Sequence, residues 1–199
     1  MTAKLKRGIT KVKDPGSALT HFIAMILAII AAIPLLSKAG HDSGHMHISA
    51  LAIFILSMIG LYAASTIYHT LDISPKINKL LRKIDHMMIF ILIAGTYTPV
   101  CMIVLGDKTG WTMLTLVWGI AIVGILINAL WITCPKWFSS LIYIAMGWVC
   151  ILAITKILSS MPRAGFMWLL AGGIIYTVGG IIYAMNLPFF NSRHRFWFP

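Results

Sequence analysis

The run ISALAIFILSMIGLYAASTIYH, residues 48–69, decides how this chain is read. It contains no acid, lysine or arginine and ends on Ser65 and His69, four positions apart. Its length matches the roughly 20 residues a helix needs to cross the hydrocarbon core of a bilayer. Backbone groups cannot go unpaired in lipid, and the run is too long and too evenly apolar for a barrel strand, so a helix is predicted. In a helix, Ser65 and His69 lie on one face. A short basic connector follows, and Asp85 opens the next apolar run. If the two runs cross the bilayer as neighbours, Asp85 re-enters at the surface where His69 left it. A serine, a histidine and an aspartate then meet at one depth, just inside the headgroups.

Composition makes the same point for the whole chain. Soluble domains are about 45–50% apolar and about 25% charged, whereas these 199 residues are 59% hydrophobic and 11% charged, with a mean hydropathy of +0.90. Glutamate is absent, and the acids are Asp14, Asp42, Asp72, Asp85 and Asp107. The net charge of +11 therefore reads as membrane topology rather than as a nucleic-acid surface. Cys101, Cys134 and Cys150 share no metal-ligand spacing, and an odd, scattered set argues against a disulfide framework. The polar, basic first 16 residues are followed by a run long enough to span, so no cleavable signal peptide is expected.

Six runs reach spanning length, at 17–36, 48–69, 85–105, 111–132, 138–158 and 164–185. The expected fold is an all-α, multi-pass transmembrane helix bundle with short loops. A basic arm, 1–16, precedes the bundle of 17–185, and a short tail, 186–199, follows it. On one side lie Lys4, Lys6, Arg7, Lys11, Lys13, Lys76, Lys79, Arg82, Lys83, Lys136, Arg193 and Arg195; the other side has Lys38, Lys108, Lys156 and Arg163. Excess positive charge stays cytoplasmic, which puts the N-terminus, His69 and Asp85 inside. Pro99, in Gly95-Thr96-Tyr97-Thr98-Pro99, is expected to kink the third helix, with nearby threonine hydroxyls satisfying the freed carbonyl. Gly172, Tyr176 and Gly180 share a face that lets a neighbour approach. Trp111, Trp137 and Trp197 read as interfacial anchors. The ending Phe196-Trp197-Phe198-Pro199 looks like the lead-in to a further helix.

Ser65, His69 and Asp85 admit two readings. In one, neutral imidazole ligates zinc, a carboxylate holds the second ring nitrogen or a metal-bound water, and a hydroxyl donates to a developing oxyanion. In the other, His69 is a wet boundary residue, Asp85 is a first-turn carboxylate favoured by the macrodipole, and Ser65 bonds back to its own helix. His21, beside Thr20, either lines the same cavity or hydrogen-bonds at the interface. His86 points about 100° away from Asp85 on a helix. The stretch His41-Asp42-Ser43-Gly44-His45-Met46-His47 reads as a solvated outer loop.

Ser65-x-x-Tyr68-His69, Asp85 at the opening of the third helix and Gly95-Thr96-Tyr97-Thr98-Pro99 together resemble the bacterial hemolysin III proteins, within the progestin and adiponectin receptor (PAQR) superfamily, which is distantly similar to the alkaline ceramidases. The likeness runs from about Asp14 to the end. It implies a seven-helix fold, of which six spans are present here, with the N-terminus inside and a zinc ion near the cytoplasmic leaflet. By that resemblance His69 is a zinc ligand, Asp85 contacts the metal or its water, and Ser65 lines the site. The remaining family ligands are a His-x-x-x-His pair on the seventh helix, and none follows Pro199. The chain is accordingly expected to be cut short or to carry a remnant of the site. The implied activity is zinc-dependent hydrolysis of a lipid amide in the bacterial cell membrane. The alternative is a non-enzymatic role in membrane homeostasis or lysis.

Overall fold

The structure, a computed structural model, describes residues 12–42, 44–131 and 136–185. Lys4, Lys6, Arg7 and Lys11, then Ser43, Cys134 and the tail with Arg193, Arg195 and Trp197, lie outside the described residues.

Among the described residues every regular element is helical: α1 (Pro15–Asp42), α2 (His45–Thr70), α3 (Pro75–Pro99), α4 (Lys108–Leu130), α5 (Lys136–Gly147), α6 (Ile154–Ser160) and α7 (Arg163–Met185). A π-helical turn, Val100–Leu105, prolongs α3, and a 3-10 segment, Trp148–Ala153, joins α5 to α6. These make six segments long and apolar enough to cross a membrane. The all-α multi-pass bundle read from hydropathy is the observed fold.

Helix α3 is its centre. Phe90, Ile93, Ala94, Tyr97, Cys101 and Leu105 are buried against Met113, Val117 and Ala121 of α4 and Tyr143, Met146 and Ile157 of α5 and α6. Helix α1 packs on α2, α2 on α3 and α3 on α4, while α5 reaches α3, α4 and α7. Lipid offers no hydrophobic drive between helices, so close approach at small residues has to hold them together. A Cβ on Gly124 would fall 2.3 Å from the Phe90 ring, and one on Gly95 would fall 2.7 Å from Ser57 Cβ. The outer faces of α1 and α7 expose Leu27, Ile30, Ile33, Trp168 and Ile175, as lipid-facing surfaces do.

Four boundaries differ from the sequence reading. The basic stretch before Asp85 is helix, not connector. Ser74 caps α3, its hydroxyl accepting from Ile77 N–H at 3.3 Å, and Pro75 occupies the first turn, where its missing N–H costs nothing. Asp85 therefore lies ten residues beyond Pro75, well outside the first turn to which the macrodipole's influence is confined. Secondly, the expected His41–His47 loop is largely helix. Helix α1 runs to Asp42, α2 starts at His45, and Gly44 turns between them at φ 79°. Thirdly, the fifth span is interrupted by its 3-10 segment.

Fourthly, the glycine face of α7 divides. A Cβ on Gly180 would meet Ile144 at 3.0 Å, whereas Gly172 has open space around it. Gly172 lines a mainly apolar cavity of about 350 Å³ between α3, α5 and α7, with Tyr97, Cys150 and Tyr176 also on its wall. Pro99 acts through the π turn: beyond it Gly106 N–H donates to Cys101 O five residues back, at 3.1 Å. Thr98 and Thr96 hydroxyls bond the carbonyls of Ala94 (2.9 Å) and Ile93 (2.7 Å), next to the one the proline leaves free.

Candidate functional site

The C-terminal end of α2 presents Ser65 and His69 one turn apart, and both are buried. The chain leading into α1 folds across this end. Asp14 N–H donates to His69 O at 2.9 Å and Lys13 N–H to Thr70 O at 3.3 Å, while Lys13 Nζ stands 3.5 Å from the Tyr68 ring centroid. The cation over the aromatic face and the paired backbone bonds fix the lead-in. They place the Asp14 carboxylate on the imidazole, with Oδ2 3.0 Å from Nδ1 of His69. Asp14 also starts α1, its carbonyl accepting from Ala18 N–H at 2.9 Å.

His21 enters from the second turn of α1. Thr20 does not compete for the site, since its hydroxyl donates back to Gly16 O at 3.0 Å. The His21 ring lies 5.6 Å from the His69 ring and 5.9 Å from that of Tyr62. Its Nδ1 is buried, with no hydrogen-bond partner among the described residues. A buried polar atom without a partner is costly, and at a membrane boundary it is available to a ligand or a water. Asp85 arrives from α3, near enough to His21 for its charge to be felt there. Its carboxylate stands 3.5 Å from Nδ1 of His86, so the two neighbours are in contact despite their angular separation on the helix. Tyr143 of α5 donates to His86 O at 2.9 Å and ties this turn of α3 to the bundle.

The four side chains Asp14, His21, His69 and Asp85 form one ionisable cluster, built by α1, α2 and α3. Sequence reading found His69 and Asp85, left His21 between two roles and passed over Asp14. The one local signal for Asp14 is the Asp-Pro pair, which marks a helix start but says nothing of a partner 55 residues away.

The arrangement has the chemistry of a histidine held through its inner nitrogen, Nδ1. With Nδ1 on a carboxylate, Nε2 is the nitrogen presented to a ligand, as in the carboxylate–histidine–metal arrangement. A tetrahedral zinc site takes about four ligands, however. Among the described residues no three His, Cys or Asp side chains converge where one ion could be held. The described residues alone do not make a zinc site.

At the other end of the bundle, Asp107 caps α4. Its Oδ1 accepts from Thr109 and Gly110 N–H at 3.0 and 3.2 Å, and its Oδ2 pairs with Lys156 of α6. Lys156 also donates to Thr109 Oγ1 at 2.9 Å. The hydrogen bond from Lys156 and those from the capped amides hold the Asp107 carboxyl below the usual carboxylate range.

A helical bundle of six spanning segments with an ionisable cluster at one end defines a multi-pass integral membrane protein. The family model for haemolysin-III related proteins matches residues 9–198, and the chain belongs to that family. It is 39% identical over 199 residues to "Hemolysin-3" of Bacillus cereus, covering 99% of this chain and 89% of the relative. It is 36% identical over 186 residues to a "Hemolysin-3 homolog" of Bacillus subtilis (strain 168), covering 93% and 85%.

Proposed function

We propose that this haemolysin III-type membrane protein acts on a lipid at the headgroup level of the cytoplasmic leaflet of the bacterial cell membrane, as a hydrolase of lipid amides. The observation that carries the reading is the cluster itself: His69 held by Asp14, with His21 and Asp85 beside it, where α1, α2 and α3 meet. Ionisable groups at membrane depth are costly and mark function. The excess of Lys and Arg on the side of Lys13, Lys76 and Lys79 supports a cytoplasmic N-terminus.

In this reading Asp14 orients the His69 ring. Asp85 accepts the proton of an attacking water, and the Ser65 hydroxyl hydrogen-bonds the oxygen on which negative charge develops. Were zinc bound, His69 through Nε2 and Asp85 through its carboxylate would be among the residues holding it. It requires further donors from outside the described residues, and when bound it supplies Lewis-acid polarisation. The test is release of free fatty acid from ceramide-like or N-acyl lipids by purified full-length protein in bilayers. Release that His69→Ala abolishes supports the reading, and no release from any such lipid overturns it.

The relatives' name, hemolysin, supports a second reading, lysis without catalysis, alongside which stands a non-enzymatic role in membrane homeostasis. The charge-poor spans give a monomer little to line an aqueous pore. Leakage from vesicles carrying the protein, undiminished in His69→Ala, would favour that reading.

A further inference from the structure

The first three turns of α3 do not belong to the hydrocarbon core. The helical run from Pro75 to Leu105 is 31 residues long. At 1.5 Å per residue it extends about 46 Å, against a core of about 30 Å. The excess is about ten residues, which is the distance from Pro75 to Asp85. This excess is amphipathic in an unusual place. Ile73, just before the cap, and Ile77, Leu80 and Ile84 follow one another at spacings of four, three and four, and all are exposed, Leu80 to 56%. Lys76 lies about 40° from Leu80 round the helix and Lys79 about 100°, while Arg82 lies about 160° away, on the far side; all three are exposed. Among the described residues none of the three has an ion-pair partner.

The neighbouring charges are accounted for. Lys83 donates to Ala129 O at the end of α4, at 2.8 Å. Asp72, four residues before Lys76, accepts from Asn78 at 2.7 Å, and Asn78 in turn accepts from Ile73 N–H. The connection before α3 is thus tied down, and the basic segment projects from a fixed base.

We infer that this segment is a binding surface for anionic phospholipid: Lys76, Lys79 and Arg82, set round the helix at headgroup level, hold phosphates and their charged headgroups, while Ile84 and Leu80, nearest the hydrocarbon core, contact the first acyl methylenes. Charge complementarity commits the occupant. Four apolar side chains facing water or bare headgroups would be unfavourable, and three unpaired cations round the same helix meet their counter-charge at the level of lipid phosphates. Lys79 precedes Asp85 by six residues, about 120° round the helix. Lys76 and Lys79 therefore lie on a different face from Asp85, whereas Arg82, three residues before it and about 60° away, borders the cluster.

The test uses the full chain in bilayers of phosphatidylcholine with spin-labelled phosphatidylglycerol or spin-labelled phosphatidylcholine as probe. The motionally restricted fraction of each label measures its association. The wild type is expected to prefer phosphatidylglycerol by about fivefold, the effect of roughly one well-placed basic residue. The preference should weaken as salt shortens the Debye length from about 10 to about 3 Å. Lys76→Gln/Lys79→Gln/Arg82→Gln should bring it to near unity, and Lys76→Arg/Lys79→Arg should keep it. Equal association of the two labels with the wild type overturns the proposal, as does a preference indifferent to salt or retained in the triple variant. If the triple variant does not fold, the single variants Lys76→Gln and Lys79→Gln decide: each should lower the preference, and no change in either overturns the proposal.

Discussion

The carboxylate of Asp14 and the imidazole of His69 meet at 3.0 Å although 55 residues separate them in the chain. The bond joins the lead-in of α1 to the end of α2 and determines which nitrogen of His69 is offered to the cluster. We predict that Asp14→Ala frees the ring. The ¹⁵N resonances of His69 should then report a mixture of tautomers in place of one. Asp14→Asn should keep the single tautomer, because its side-chain carbonyl still accepts from Nδ1–H. Loss of such a support typically costs about 10–100-fold in activity or metal affinity. A wild-type ring signature in Asp14→Ala would remove Asp14 from the site.

Metal content separates the roles proposed for the other residues. His69→Ala should lose whatever zinc the full-length protein binds, and Asp85→Asn should weaken binding by about 10–100-fold if its contact is indirect. Ser65→Ala should keep the metal and lose turnover, since a hydroxyl aimed at an oxyanion acts in the transition state. Elemental analysis of purified protein is the measurement. Full occupancy in His69→Ala would end the zinc reading.

Packing gives a prediction independent of function. A Cβ on Gly110 would stand 2.2 Å from the backbone oxygen of Cys101, which no rotamer change can relieve. Gly110→Ala should destabilise the bundle by about 1–3 kcal/mol, the usual range for overpacking. Gly119 on the same helix has nothing within 4 Å of such a Cβ, and Gly119→Ala should be neutral or stabilising by up to about 1 kcal/mol. Reversible unfolding in mixed micelles would rank them, and equal effects would contradict the close approach of α4 to the π turn.

Asp107 gives the pH dependence. Its carboxyl is held low in the folded state, chiefly by the Lys156 hydrogen bond. The stabilisation is therefore present above the ordinary carboxylate pKa and is lost as pH falls through the depressed folded value. The thermal midpoint should drop in acid, and Asp107→Asn should flatten that part of the profile. Since the pair is 43% exposed on each side, the effect should be small. An unchanged acid slope in Asp107→Asn would assign it to other groups.

Orientation can be read from labelling of intact cells by a membrane-impermeant thiol reagent in a background lacking the native cysteines. Ser43→Cys should react from outside and Lys79→Cys only after permeabilisation. The reverse pattern would place the cluster at the outer leaflet.

The spans were legible because their signal is length and apolarity, which the bilayer itself imposes. The start of α3 was not. Lys76, Lys79, Arg82 and Lys83 interrupt the hydropathy of the run without interrupting the helix, although Ser74-Pro75 carries a proper start signal. The break at Trp148–Ala153 has no proline to announce it. At the site, helical spacing paired Ser65 with His69, and the return of the chain brought Asp85 to the same end. Asp14 and His21 depended on how α1 lies against α2, which no periodicity within either helix contains.

The division of the cluster among helices has a consequence for how the protein is made. Asp14, His21 and His69 belong to the lead-in and to α1 and α2, which pack on one another, and Asp85 alone comes from α3. A chain emerging N-terminus first therefore completes this hairpin, with its Asp14–His69 clasp at the open end, before Asp85 has entered the bilayer. The histidines wait for their second carboxylate, and its arrival with α3 is the step of biogenesis at which the cluster becomes whole.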